Sequence, residues 1–247
     1  MKLRVECKAD TLPVGNNMMV VSLFKESLKK TNIDYYNSLY LYDGRNNKKS
    51  KNFSFSMYIK DSIVENEVVL VKDKVIIFVT TSDMEFFINI YNGLTAMKFS
   101  NDFVYRGYKL DIVKISNIPQ TIISKNSVVF KALSPICIKN KKGDFITPEN
   151  EEYEQELYYI INQTLINARG YGLKQPLKFE NILLKNVVSK EYIREFAEIT
   201  NRPYLLVDAS KGVFKLTGDV EDINYIYQVG VGFRRSQGYG MIEIVLQ

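Results

Sequence analysis

The order in which apolar spacing changes period along this chain constrains its fold more than any other feature. Leu3 to Lys8 alternates apolar and polar residues, the pattern of a half-buried strand. After Leu12-Pro13, residues Val20, Leu23, Phe24 and Leu28 share one face of a helix expected over Val20 to Lys30. Phe53, Phe55 and Met57 alternate with Ser54, Ser56 and Tyr58 as a second strand, and Val75 to Thr80 is a short apolar strand. Met84 to Met97 has helical spacing, weakened by Gly93, and Tyr108 to Ile115 alternates again. The sequence β-α-β-β-α-β is that of the ferredoxin-like, split βαβ unit.

The pattern breaks at Asn117-Ile118-Pro119 and then restarts. Ser127 to Leu133 reads as a strand. Thr147-Pro148-Glu149 reads as a helix start, with a capping hydroxyl, proline at the first helical position and acid in the first turn. That helix is expected to run to Ala168 and stop at Gly170. Ile182 to Val188 is a strand. Ser189 to Thr200 reads as helix from Tyr192, Ile193, Phe196 and Ala197, although a second ferredoxin-like unit would prefer strand there. Tyr204 to Val207 and Val213 to Thr217 are expected to pair as a hairpin around Lys211-Gly212. Val220 to Gln228 is a short helix, and Met241 to Leu246 a closing strand. The expected architecture is α+β: two tandem ferredoxin-like (RRM-like) domains, residues 1–118 and 124–247, with a C-terminal glycine-rich loop. A chain of 247 residues is long enough for two such domains.

Composition narrows the chemistry. There is no histidine, which removes the commonest general acid–base and the commonest metal ligand together. Any metal-dependent reaction would have to run on carboxylates, and no Asp/Glu cluster stands out for it, so no metal or cofactor is expected. Cys7 and Cys137 are far apart and belong to no Cys-x-x-Cys pair, which argues against a zinc site or a disulfide framework. With no signal peptide and no run of about 18 apolar residues, the chain reads as soluble and cytoplasmic, with no membrane partner. The net charge of +5 is compatible with an anionic partner. Basic residues cluster at Arg45, Lys48, Lys49 and Lys51, and at Lys139, Lys141 and Lys142.

One segment near the end joins both themes. In Gly230-Val231-Gly232-Phe233-Arg234-Arg235-Ser236-Gln237-Gly238-Tyr239-Gly240, two Gly-x-Gly pairs frame two arginines. Glycine is used where the backbone takes φ > 0 or approaches another backbone closely. The spacing admits two readings: a backbone cradle for phosphate, or a glycine-rich strand connection with two solvated arginines. It is not a dinucleotide fingerprint, because the glycines precede a strand rather than open a helix, and it has no Gly-Lys-Ser/Thr ending.

That loop resembles the C-terminal glycine-rich loop of the RAMP superfamily of CRISPR proteins, and within it the endoribonucleases that cut precursor CRISPR RNA. Three upstream stretches, in the right order, resemble the same family. They are Leu12-Pro13 with a helix containing Ser22-Leu23-Phe24, the strand Lys51-Asn52-Phe53-Ser54-Phe55-Ser56, and Leu133-Ser134-Pro135-Ile136. The resemblance implies metal-independent attack of a 2′-hydroxyl on the adjacent phosphate, leaving a 2′,3′-cyclic phosphate and a 5′-hydroxyl. It implies a triad of a helix tyrosine, a histidine and a lysine, which here fall at Phe24, Tyr40 and Lys51. The catalytic candidates are therefore Lys51 and Tyr40. The RNA-binding candidates are Gly230, Gly232, Arg234, Arg235, Ser236, Gln237, Gly238, Gly240, Lys48 and Lys49. The implied partner is CRISPR repeat RNA or its precursor, with a CRISPR effector complex and a homodimer as further partners to test. A phenylalanine cannot exchange protons and a phenol is a poor shuttle at neutral pH. Three readings follow: a repeat-RNA endoribonuclease, a repeat-RNA-binding protein that does not cut, and a structural subunit of an effector complex.

Overall fold

A computed structural model describes residues 1–42, 45–46 and 49–247. Lys48 lies outside the described residues, and of Arg45 only the backbone is described. The chain forms two compact units. The first comprises Met1–Lys51, Met57–Pro119 and Lys190–Leu205; the second comprises Asn52–Ser56, Gln120–Ser189 and Leu206–Gln247.

The elements of the first half are β1 (Lys2–Lys8), β2 (Thr11–Pro13), α1 (Asn17–Thr31), α2 (Ile33–Tyr40), β3 (Leu41–Tyr42), β4 (Arg45–Asn46), β5 (Phe53–Glu65), β6 (Val68–Thr81), α3 (Met84–Ser100), β7 (Val104–Tyr105), β8 (Tyr108–Lys109) and β9 (Asp111–Ile118). The sheet of the first unit has the order β2-β6-β1-β9, and β5 also pairs with β6. Central β1 is antiparallel to both neighbours, from Lys2 opposite Thr80 to Cys7 opposite Val75 on one side. Its alternation buries Leu3, Val5 and Cys7, and Val75, Ile77 and Val79 of β6 are buried likewise. Helices α1 and α3 contribute Leu23, Phe24, Leu28, Ile90 and Leu94 to the buried set. Where these helices cross, a Cβ on Gly93 would lie 2.2 Å from the carbonyl oxygen of Ser27, so only glycine lets the two backbones approach this closely. The segment 190–205 belongs to this unit through an aromatic and polar clasp. The Arg106 guanidinium lies 3.5 Å above the Tyr192 ring centre, and the Tyr204 hydroxyl donates to Glu67 at 2.9 Å. Asn17 donates to the buried Glu191 at 2.7 Å.

The second half adds β10 (Ser127–Ala132), β11 (Ile138–Lys139), β12 (Phe145–Ile146), α4 (Tyr153–Arg169), β13 (Lys178–Glu191), α5 (Arg194–Thr200), β14 (Leu205–Thr217), α6 (Val220–Val229) and β15 (Ile242–Leu246). Its sheet runs β13-β14-β10-β15. Phe130, Phe214 and Tyr227 form a ring cluster at its centre, with Leu157, Ile161 and Leu165 of α4 and Ile223 and Ile226 of α6 in the same core. Both units are ferredoxin-like, as the periodicity indicated.

Three local expectations are corrected. The hairpin around Lys211-Gly212 does not exist, because Leu205–Thr217 is one continuous strand. Gly212 marks a close approach to β13 instead: a Cβ there would sit 1.8 Å from the carbonyl oxygen of Leu183. Helix α4 starts at Tyr153 rather than at Pro148. The Asn150 side chain accepts from the Thr147 amide at 2.9 Å, and such local bonds hold the backbone in turns instead of helix. Within Ser189–Thr200, strand β13 continues to Glu191 and only Arg194–Thr200 is helical.

Replacing Gly93 by alanine is expected to destabilise the protein by about 1–3 kcal/mol through overpacking, despite a gain of about 1 kcal/mol in helix propensity. Thermal unfolding should show a clearly lowered Tm; an unchanged or raised Tm would refute the close crossing.

Candidate functional site

The first site is built by a turn. Asn32 ends α1, its amide donating to the Leu28 carbonyl at 2.8 Å, and begins α2, its side chain accepting from the Tyr35 amide at 2.9 Å. One asparagine thus serves as the last cap of one helix and the first of the next. The reversal faces two i,i+4 pairs toward each other: Lys25 and Lys29 of α1, Tyr36 and Tyr40 of α2. The Lys29 Nζ lies 4.8 Å from the Tyr36 ring centre and the Lys25 Nζ 5.0 Å from that of Tyr40. The two tyrosine rings are 5.3 Å apart. Lys51 completes the cluster, its Nζ 5.1 Å from the Tyr40 ring centre and donating to the Lys49 carbonyl at 3.3 Å.

Among the described residues, Tyr40 carries two ammonium groups within cation–π range. Half-burial pulls the Lys51 pKa below the ordinary lysine value, and the charge on Lys25 lowers it further. The Lys25 pKa is lowered first by burial and then by Lys29, with Glu195 acting in the opposite sense. Burial, then Tyr36, raises the Tyr40 phenol, so it keeps its proton at neutral pH and does not act as a base. Its hydroxyl is buried with no hydrogen-bond partner among the described residues. Phe24 is fully buried. The structure thus brings Tyr40 and Lys51 together, and adds Lys25, which sequence reasoning missed. The signal was present as paired i,i+4 spacings on either side of Asn32.

The second site is the glycine-rich loop between α6 and β15. Much of its backbone is bound by its own unit: Val231 N–H donates to Gly240, Gly240 N–H to Pro135 and Phe233 N–H to Cys137, each at 2.8 Å. A Cβ on Gly240 would stand 1.8 Å from the Val231 oxygen, one on Gly232 2.6 Å from the Cys137 oxygen, and one on Gly230 2.6 Å from the Gly240 oxygen. These three glycines make room for protein backbone. The two arginines differ in kind. Arg234 takes a left-handed conformation, with φ 57°, is half-buried, and donates from Nε to Gln237 at 2.8 Å. Arg235 is turned inward, 4% exposed, and donates to the Val229 carbonyl at 3.0 Å. Burial lowers its pKa to about 10, opposed by Tyr225. Ser236 and Gln237 are half-buried beside Arg234, whereas Gly238 is buried and closes the 3₁₀ turn Arg235–Gln237 with φ 89°. Lys49 is exposed. Among the described residues no three Asp, Glu or Cys side chains gather to hold a metal ion, and no helix is long and apolar enough to cross a membrane.

The arginine pair sets up a contrast. Arg235→Ala is expected to lower the Tm by several degrees, since loss of a buried group of this kind costs on the order of 2 kcal/mol. Arg234→Ala should shift it little. Equal shifts in thermal unfolding would contradict the inward placement of Arg235.

Residues 117–244 match the family profile of the C-terminal part of the CRISPR associated protein Cas6. A curated relative, the CRISPR-associated endoribonuclease Cas6 1 of Methanocaldococcus jannaschii, is 24% identical over 258 residues, spanning 98% of this chain and 92% of that one. Among solved structures, the product of a Cas6-related gene from Pyrococcus furiosus superposes with a TM-score of 0.80 at 18% identity, covering 99% of this chain and 98% of the other. A structure described as a RAMP protein binding different RNA substrates gives a TM-score of 0.79 at 17% identity, covering 99% of both chains. The profile spans more than half of the chain, and with that match the chain belongs to the Cas6 family of CRISPR-associated proteins.

Proposed function

We propose that this protein binds CRISPR repeat RNA and cleaves precursor CRISPR RNA within the repeat, without metal. The 2′-hydroxyl attacks the adjacent phosphate, giving a 2′,3′-cyclic phosphate and a 5′-hydroxyl. The observation that carries this reading is Lys51 over the Tyr40 ring, an ammonium group desolvated and crowded by a second lysine. Such a group offers charge stabilisation for a developing phosphorane at closer to its full strength than a solvated one. Tyr40 acts through its ring, which fixes the ammonium, and through a neutral phenol that can donate a hydrogen bond. On the glycine-rich loop, Arg234 with Ser236 and Gln237 contacts the RNA backbone, while Arg235 and the glycines Gly230, Gly232, Gly238 and Gly240 shape that contact. Lys49 adds to the electrostatic attraction.

A second reading is repeat binding without cleavage. It is favoured by Phe24, fully buried where the family has a proton-exchanging tyrosine. Loss of acid–base help costs roughly 10²- to 10⁴-fold in rate.

Incubation with the cognate repeat RNA in EDTA separates the two. Site-specific cleavage with cyclic phosphate ends, reduced at least about 100-fold by Lys51→Ala, is expected. Tight binding with RNA left intact over hours would replace the first reading by the second. Arg234→Ala should weaken binding and lower the slope of log affinity against log salt by about one. An unchanged slope would remove Arg234 from the interface.

A further inference from the structure

We propose that Lys25 is a catalytic residue of this cleavage, exchanging a proton with the reacting oxygens as the partner of Lys51. The inference rests on the cleavage reading above and assigns the acid–base work that the absent histidine leaves open.

The argument begins with placement. The Lys25 and Lys51 nitrogens lie 5.0 Å and 5.1 Å from the centre of one ring, and the charge of Lys25 acts on Lys51. Their elements differ: Lys25 projects from α1, Lys51 from the segment that leads into β5. Two long, flexible side chains thus reach one buried ring from separate supports, an arrangement suited to a two-group acid–base site. Among the described residues, the charged groups that act on Lys25 come from its own helix, from the segment before β5 and from α5. Lys29 of the same helix and Lys51 repel its charge, while Glu195 of α5 favours it. Tyr40 of α2 stays neutral at physiological pH. Burial and repulsion lower both lysine pKa values, and in the proposed reacting state one amine is neutral and the other charged.

That state balances the reaction without a co-reactant. The neutral amine takes the proton of the 2′-hydroxyl as its oxygen bonds to phosphorus. The bond from phosphorus to the 5′-oxygen breaks, and the ammonium of the partner lysine gives that oxygen its proton. The pair ends with its protonation exchanged, holding one proton as before, and a transfer through water restores the starting arrangement.

The test uses the full chain, the repeat RNA and single-turnover cleavage in EDTA, with Lys25→Arg and Lys25→Gln. Arginine keeps the positive charge but does not surrender its proton. Both variants are expected to cut at least about 100-fold more slowly while binding a cleavage-blocked repeat, with 2′-deoxy sugar at the scissile nucleotide, within about threefold of wild type. The wild-type rate should rise with pH on its acid side, and the residual rate of Lys25→Gln should lose that rise. A Lys25→Arg protein that cuts within about threefold of wild type would show that Lys25 supplies charge alone, and would overturn the inference while leaving cleavage standing. An inert wild type would sink the cleavage reading itself. Thermal unfolding identifies a variant that fails to fold, and the decision then rests on the other variant.

Discussion

Two ammonium groups over one buried tyrosine ring are the interaction on which the functional account turns. Cation–π attraction, worth about 0.5–2 kcal/mol each, holds the lysines in place and favours their charge. Burial and mutual repulsion work against the charge, and for Lys25 and Lys51 the net direction is a lowered pKa. A free lysine, with a pKa near 10.4, is a poor substitute for an imidazole near 6.5. Closing that gap fully would take about 5 kcal/mol of differential destabilisation, but a pair need only make one amine neutral while its neighbour stays charged. The geometry originates in Asn32, whose double capping folds α2 back on α1.

The glycine-rich loop shows a different economy of structure. Its glycines looked equally suited to cradle a phosphate and to connect strands, and the structure fills three of the four with the chain's own carbonyl oxygens. The loop is held by its own backbone hydrogen bonds and presents a short polar face of Arg234, Ser236 and Gln237, with Arg235 anchoring it from within. Adjacent identical residues therefore do unlike work: one is a support, the other an available cation.

Much of the fold was legible because alternation and helical spacing report burial directly. Leu3, Val5 and Cys7, or Val20, Leu23 and Phe24, read correctly since each element buries one face. Where tertiary approach decides the conformation, the local signal misled. Lys211-Gly212 has the composition of a turn, yet Gly212 is needed because β13 presses against it. Thr147-Pro148 has the composition of a helix start, yet Asn150 diverts the backbone into turns. The site was half legible. Lys51 and Tyr40 follow from family likeness, whereas Lys25 is signalled only by the paired i,i+4 spacings around Asn32, which gain meaning once α2 is seen to return along α1.

The most direct test of the lysine-pair account is the titration of the side-chain nitrogens of Lys25 and Lys51 by NMR in the RNA-free protein, each assigned through its arginine variant. The account predicts that at least one titrates well below the free-lysine value of about 10.4, and that removing either lysine raises the pKa of the other. Two ordinary, independent titrations at the free-lysine value would contradict it.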